Sequence, residues 1–214
     1  GFGAPNRVRA ENISHDWQHF DVVCDNEIYC HLNLQVLGRH NVLNALAAAG
    51  AAWLLGVPGE AVTAGLATFT GADRRLQFKG KFNGADVYDD YAHHPNEVKA
   101  SIESLRRLYS DKKLTGVFQP HLYTRTRDFA DEFAASLSLL DEVLLLDIYP
   151  AREEPIEGVT SQIILDKVTA KEKRLISKDE LLDYVRTHPI EVLATIGAGD
   201  VNLMLPQIKN ILLS

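Results

Sequence analysis

No Walker-type phosphate loop occurs in the chain, so nothing in it can wrap a triphosphate unaided. It also lacks the glycine-rich fingerprint expected after an early strand of a dinucleotide-binding domain. The one Gly-x-Gly, Gly197-Ala198-Gly199, follows the last predicted strand. No run approaches the ~20 apolar residues of a membrane span, and no basic-then-apolar leader opens the sequence. Cysteine is scarce: Cys24 and Cys30 lie in one strand-like stretch, roughly 20 Å apart if extended. Both are expected to be reduced in a cytoplasmic protein. Positive charge is also short. A formal net charge of −7 argues against a general nucleic-acid or membrane-surface role, because neither partner attracts an acidic protein. Internal repeats and low-complexity tracts are absent.

What is present describes an ordinary globular protein of 214 residues, 46% hydrophobic and 24% charged, long enough for one large or two small domains. Strands are predicted over residues 7–13, 21–24 and 27–34, with Asp25-Asn26 as a turn. Residues 42–55 form an alanine-rich helix, apolar all round and therefore expected inside a core. Pro58 opens a second short helix to residue 69. The polar, basic segment 70–75 reads as a linker. Beyond it, strands at 86–91, 114–119, 142–148, 174–177 and 191–196 alternate with helices at 96–109, 126–139, 161–169, 179–187 and 201–213. That alternation predicts an α/β unit with a mostly parallel sheet and helices on both faces.

Four clusters fall at strand ends or in the linker. The densest is DDYAHHPNEV, residues 89–98, which sets two carboxylates, a tyrosine and two imidazoles on a strand-to-helix turn. Open α/β sheets place ligands at such turns, and so many titratable groups are costly to bury for packing alone. Asp90 could bond a ribose diol, and His93 or His94 could orient or deprotonate a nucleophile near neutral pH. Adjacent side chains diverge, so one imidazole is expected to be structural, and the pair has poor geometry for a metal. In FQPHLYTRTRD, residues 118–128, His121 and Tyr123 project from a strand's carboxyl edge. Thr124 or Thr126 would cap the next helix. Arg125 at that helix start opposes its dipole unless an anion lies between them. In GRHNVLNA, residues 38–45, Asn41 and Asn44 share a helix face and could read an adenine edge, or Asn41 could simply cap the helix. Arg74 and Arg75 are either a phosphate or carboxylate clamp or a solvated pair. The stretch 152–155 reads as a mobile acidic loop.

Taken in order, GRHNVLNALAA (38–48), GADRRLQF (71–78), DDYAHHPNEV and FQPHLYTRTRDF (118–129) resemble the Mur ligase superfamily, the ATP-dependent amino-acid ligases of peptidoglycan assembly. DIYPAREEPI (147–156) and IGAGD (196–200) add weaker support. The resemblance is nearest to the branch that joins L-alanine to UDP-N-acetylmuramate. It implies that residues 1–76 are the tail of a central α/β ATPase domain and residues 77–214 a complete Rossmann-like C-terminal domain. The UDP-binding domain, the phosphate loop and most Mg2+ ligands would lie outside the chain, which alone is expected to be inactive. The family's roles carried onto this sequence put Asn41 and Asn44 on adenine with His40 beside them, Arg75 near the ribose and phosphates of ATP, and Asp90 on the ribose. Tyr91, His93, His121 and Arg125 would face L-alanine and the acyl intermediate, with His93, His121 and Arg125 as the catalytic candidates. Many relatives carry a second arginine where this chain has Leu122, so Arg125 is left as the main cationic contact. The same motifs also admit a ligase that attaches a whole tripeptide to the same sugar nucleotide. A non-catalytic module that docks a nucleotide or a partner protein is the third reading.

Overall fold

Asp25 and Asn26 both adopt left-handed backbone, with φ of 46° and 72°, the conformation a tight two-residue hairpin turn demands. They join β2 (His19–Cys24) to β3 (Glu27–Asn33), and β1 (Val8–Glu11) pairs antiparallel with the other edge of β2. A computed structural model describes residues 1–214, which divide into two compact units, Gly1–Ala72 and Asp73–Ser214. In the first unit, α1 (Arg39–Leu54) and α2 (Gly59–Ala67) complete the three-stranded sheet. The all-round burial expected of α1 is not what the unit provides. Val42, Ala45, Leu46, Ala49 and Gly50 are buried, whereas Leu43 and Leu54 are exposed, because one sheet face can cover only one side of a helix. Cys24 and Cys30 are buried and unbridged.

The second unit opens with the hairpin of β4 (Gln77–Phe82) and β5 (Ala85–Asp90), turned at Asn83-Gly84. There follow α3 (Pro95–Leu108), β6 (Leu114–Phe118), α4 (Tyr123–Asp128), α5 (Ala130–Leu137) and β7 (Glu142–Leu145). The chain then forms α6 (Gln162–Leu165), β8 (Glu172–Leu175), α7 (Lys178–Thr187), β9 (Val192–Ile196), a 3-10 turn at Val201–Met204 and α8 (Leu205–Leu213). The six strands lie in the order β4-β5-β9-β6-β7-β8, parallel except for β4. Thus the expected mixed α/β unit with a mostly parallel sheet is present.

Two predicted helices are shorter than expected. The segment predicted as one helix over 126–139 is two, broken where Phe129 leaves helical geometry (φ −122°, ψ 23°) and sets its ring 5.1 Å from that of His94. The helix predicted over 161–169 ends at Leu165, where the Lys173 ammonium binds the carbonyls of Leu165 and Val168 at 2.9 and 2.6 Å.

Strand order fixes where a ligand can go. Connections β5→β6, β6→β7 and β7→β8 run one way across the sheet, and β8→β9 runs back. Right-handed crossovers therefore put α3, α5 and α6 on one face and α7 on the other. The side chains agree: Phe118 packs on Phe133 of α5, whereas Val117, Leu144 and Leu193 join Leu181, Tyr184 and Ile208 of α7 and α8. Strand β9 thus exits toward one face between β5 and β6, which exit toward the other. A crevice opens at their carboxyl ends.

Candidate functional site

Three turns border that crevice: residues 91–94 after β5, 119–122 after β6 and 197–200 after β9. The first is shaped by the start of α3. His94 is the N-cap, its Nδ1 accepting from Asn96 N at 3.4 Å, and Glu97 Oε2 accepts from the backbone N–H of His93 and His94 at 3.0 and 3.2 Å. This reciprocal box satisfies the free amides of the helix start. It also sets the two imidazoles apart: His94 is committed to the helix and to Phe129, and His93 faces His121.

His93 is held at Nδ1, 2.9 Å from the Tyr91 carbonyl and 3.5 Å from Glu97 Oε2. Nδ1 must therefore carry the proton, which leaves the Nε2 lone pair as the acceptor. The Tyr91 ring stands 5.3 Å from the His93 ring, and the His121 ring 6.3 Å away on the other side of the crevice, edge to face in both cases.

His121 has the opposite polarity. Arg125 Nη1 donates to its Nδ1 at 3.5 Å, so the ring's remaining proton sits on Nε2. Burial lowers the His121 pKa below its ordinary 6.5, and the positive charge of Arg125 and the neighbouring His93 lower it further. The Tyr149 ring stacks on His121 at 5.7 Å, and the backbone bridge between them carries Leu122 at φ +73°. Leucine rarely takes that conformation. It is held by Leu122 N on Tyr149 O at 3.0 Å and by Thr126 Oγ1 on Leu122 O at 2.8 Å.

The cap expected from Thr124 or Thr126 is instead the carboxylate of Glu153. It accepts from Thr124 N at 2.9 Å and from its hydroxyl at 2.5 Å. The anion that opposes the Arg125 charge at the start of α4 is thus partly supplied by the chain itself. The bonds from Thr124 hold the Glu153 pKa below its usual value, with the charge of Arg125 a smaller cause. The stretch expected to be a loose acidic loop therefore supplies a fixed partner.

Asp90, expected at a ribose, is 4% exposed. One oxygen accepts from Ala92 N at 3.2 Å and the other from the Ser101 hydroxyl. Burial raises its pKa despite these bonds. Arg75 is more than half exposed, 4.0 Å from Glu97 and 5.9 Å from the Tyr91 ring. Arg74 does not form a matching clamp. It belongs to the second unit, where its Nη2 donates to Gly197 O at 2.6 Å.

In the first unit, Asn41 Nδ2 donates to Leu37 O at 2.8 Å and lies 3.2 Å from His40 Nε2, and exposed Asn44 donates to Asn41 Oδ1 at 3.2 Å. The set is a linked one on a single face of α1.

Sequence reasoning missed Tyr149, Glu97 and Glu153. Only Glu97 carried a signal, as the glutamate three residues after a cap. Tyr149 and Glu153 come from a loop far along the chain.

Because the folded pKa of His121 lies below the unfolded value, the folded state binds fewer protons between the two. Stability from this group is complete above pH 6.5 and is lost as pH falls through the folded pKa. An NMR titration of the 214-residue chain should show His121 titrating below 6.5, with Arg125→Gln raising its midpoint. A midpoint unmoved by Arg125→Gln would rule out the charge contact.

A mostly parallel sheet whose carboxyl-edge crevice gathers two histidines of opposite tautomer, an arginine and two tyrosine rings is the build of a ligand-handling α/β domain. Residues 74–207 match the family described as Mur ligase, glutamate ligase domain, and the chain belongs to the Mur ligase family. It is 55% identical over 181 residues to a UDP-N-acetylmuramate–L-alanine ligase of Parabacteroides distasonis, covering 85% of this chain and 39% of that protein. A UDP-N-acetylmuramate–alanine ligase from Thermotoga maritima superposes with a TM-score of 0.76 at 26% identity, over 98% of this chain and 46% of that one. A murein peptide ligase from Psychrobacter arcticus gives a TM-score of 0.64 at 25% identity, over 98% of this chain and 45% of that one. The chain thus spans less than half the length of these relatives. None of its helices is long and apolar enough to cross a membrane.

Proposed function

We propose that this chain is the C-terminal part of an ATP-dependent ligase that joins L-alanine to UDP-N-acetylmuramate, a step of peptidoglycan assembly. In this reading the second unit presents the amino acid. The observation that carries the proposal is the convergence of Tyr91, His93, His121 and Arg125 on one crevice, in a chain 55% identical to a ligase of that name.

The chemistry follows from the proton positions. Alanine arrives as a zwitterion and must lose a proton before its amine can attack an acyl carbon. His93 Nε2, with its lone pair exposed by the Nδ1 bond to Tyr91 O, is the group to take that proton. The alanine carboxylate, or the oxyanion that forms as the amine adds, needs donors. Arg125 and His121 Nε2–H supply one charged and one neutral donor. A neutral His121 suits this role, since it donates without competing for the proton that His93 removes.

ATP supplies the phosphoryl group that activates the sugar-linked carboxylate. The residues present fit a nucleotide only in part. In the second unit more than half-exposed Arg75 could meet a phosphate, but both Asp90 oxygens are already engaged; in the first unit, taken by itself, exposed Asn44 could meet a base edge. No three His, Cys, Asp or Glu side chains are grouped to hold a metal ion, so no step is assigned to Mg2+ on this chain.

The test joins this chain to the part of the Parabacteroides distasonis ligase that precedes its match. Phosphate release from ATP and UDP-N-acetylmuramate should depend on L-alanine. Strong use of the tripeptide with none of alanine would favour a tripeptide ligase instead. Full activity with His93 and Arg125 both changed to Ala would leave the unit as a binding module.

A further inference from the structure

The side chain of Arg74 takes no part in the site just described, yet its surroundings are more ordered than a surface arginine requires. Its backbone is left-handed at φ +57°, and its carbonyl accepts from Tyr91 N at 2.6 Å. Its guanidinium lies 4.9 Å from the centre of the Tyr91 ring, while Nη2 donates to Gly197 O at 2.6 Å. Gly197 N in turn donates to Asp90 O at 2.9 Å. The β9 turn packs closely on the chain after β6, since a Cβ added at Gly197 would stand 2.6 Å from Gln119 O.

The ion pair of Arg74 with Asp89 explains only part of this placement. That carboxylate is 1% exposed and lies 3.3 Å from Arg74 Nε, but Nε is buried and makes no hydrogen bond. Asp89 takes its hydrogen bond from Thr195 Oγ1 at 2.8 Å. An arginine serving Asp89 alone would present its fork to the carboxylate. Here the fork is directed to the Gly197 carbonyl, and the guanidinium stays by the tyrosine ring.

The geometry points to Arg74 as a positioning residue that fixes Tyr91, and through it His93, without touching substrate. It grips Tyr91 by main chain and ring together, and Tyr91 O is the acceptor that sets the His93 proton. Lysine could replace the charge but not the planar fork that serves carbonyl and ring at once. The inference rests on the alanine-ligase reading for its kinetic consequence only.

Two variants separate positioning from stability. Arg74→Lys in the joined enzyme should raise KM for L-alanine roughly tenfold, the scale of one cation–π contact or charge-assisted hydrogen bond, with kcat changed less than about twofold. Asp89→Asn keeps Arg74 in place and should lower the thermal midpoint while leaving KM unchanged. In the 214-residue chain, Arg74→Lys should shift the His93 side-chain NMR signals at constant pH, and this readout needs no substrate. If Arg74→Lys does not fold, Arg74→Gln with Asp89→Asn removes both charges together and is held to the same KM and NMR shifts. Wild-type KM in Arg74→Lys, unshifted His93 signals, or an equal rise of KM in Asp89→Asn would each overturn the positioning role. A joined enzyme that uses no alanine would count against the ligase reading, and the His93 signals would still decide this one.

Discussion

His93→Ala in the joined enzyme is expected to lower kcat/KM with L-alanine by about a hundredfold to a thousandfold at neutral pH, within the usual range for losing a general base. The loss should shrink as pH rises, because a growing fraction of alanine then carries its own free amine and needs no base. His94→Ala should behave differently. His94 caps α3 through Asn96 N and packs on Phe129, so its removal should cost about 1 kcal/mol of stability, the usual value of a cap, with a small kinetic effect. Measuring kcat/KM from pH 6 to 9, as an approximate span bracketing the histidine range, decides the matter. A deficit in His93→Ala that is flat with pH would exclude the base role and leave His93 as a binding contact.

The second large effect lies away from the site. Glu142 is wholly buried at the start of β7. Its carboxylate accepts from the Tyr184 hydroxyl, from Thr115 Oγ1 at 2.9 Å and from Lys113 Nζ at 3.2 Å. Burial would raise its pKa, but the three donors outweigh it and hold the group below 4.5. Glu142→Ala leaves a buried hydroxyl pair and an ammonium short of a partner, and should cost about 3 kcal/mol. For a chain of this size that corresponds to roughly 6–12 °C in Tm. The sign with pH follows from the lowered pKa. The stabilisation is complete above 4.5 and is lost as pH falls through the folded value. Acid unfolding of Glu142→Ala should therefore be less steep than that of the wild-type chain, read by circular dichroism. An acid limb of unchanged slope would mean that Glu142 is not a carboxylate that drives acid unfolding.

The order of elements was legible because its signals are local. Strands β6, β7 and β9 read as apolar runs between turns, and β5 as the run that leads into the paired aspartates. The mostly parallel sheet then follows from alternation. What could not be read depends on contacts across the chain. Phe129 interrupts a continuous helical pattern because its ring meets His94, which periodicity does not encode. Apolar composition placed α1 inside a core, but the number of surfaces available to cover it is a tertiary fact. In the candidate site, the sequence pointed to Tyr91, His93, His121 and Arg125, and these four do lie on one crevice. Their proton positions were invisible, since they depend on a carbonyl two residues away and a guanidinium one helical turn on. Glu153 and Tyr149 were unreadable for a plainer reason: their partners, Thr124 and His121, are 29 and 28 positions distant.

The two outer strands of the six-stranded sheet have a consequence for life in a crowded solution. Any open sheet offers unpaired amides and carbonyls to a passing strand, and the usual defences are charge, shortness and irregularity. Strand β8 is four residues long and exposed throughout, with Glu172, Lys173 and Arg174 in succession. Strand β4 carries Lys79 and Lys81 on either side of Gly80, where the register with β5 slips and φ reaches +131°. A strand from another copy would meet lysines and a kink at one margin and too short a ladder at the other. The fold thus guards itself against edge-to-edge polymerisation while leaving its carboxyl crevice open for chemistry.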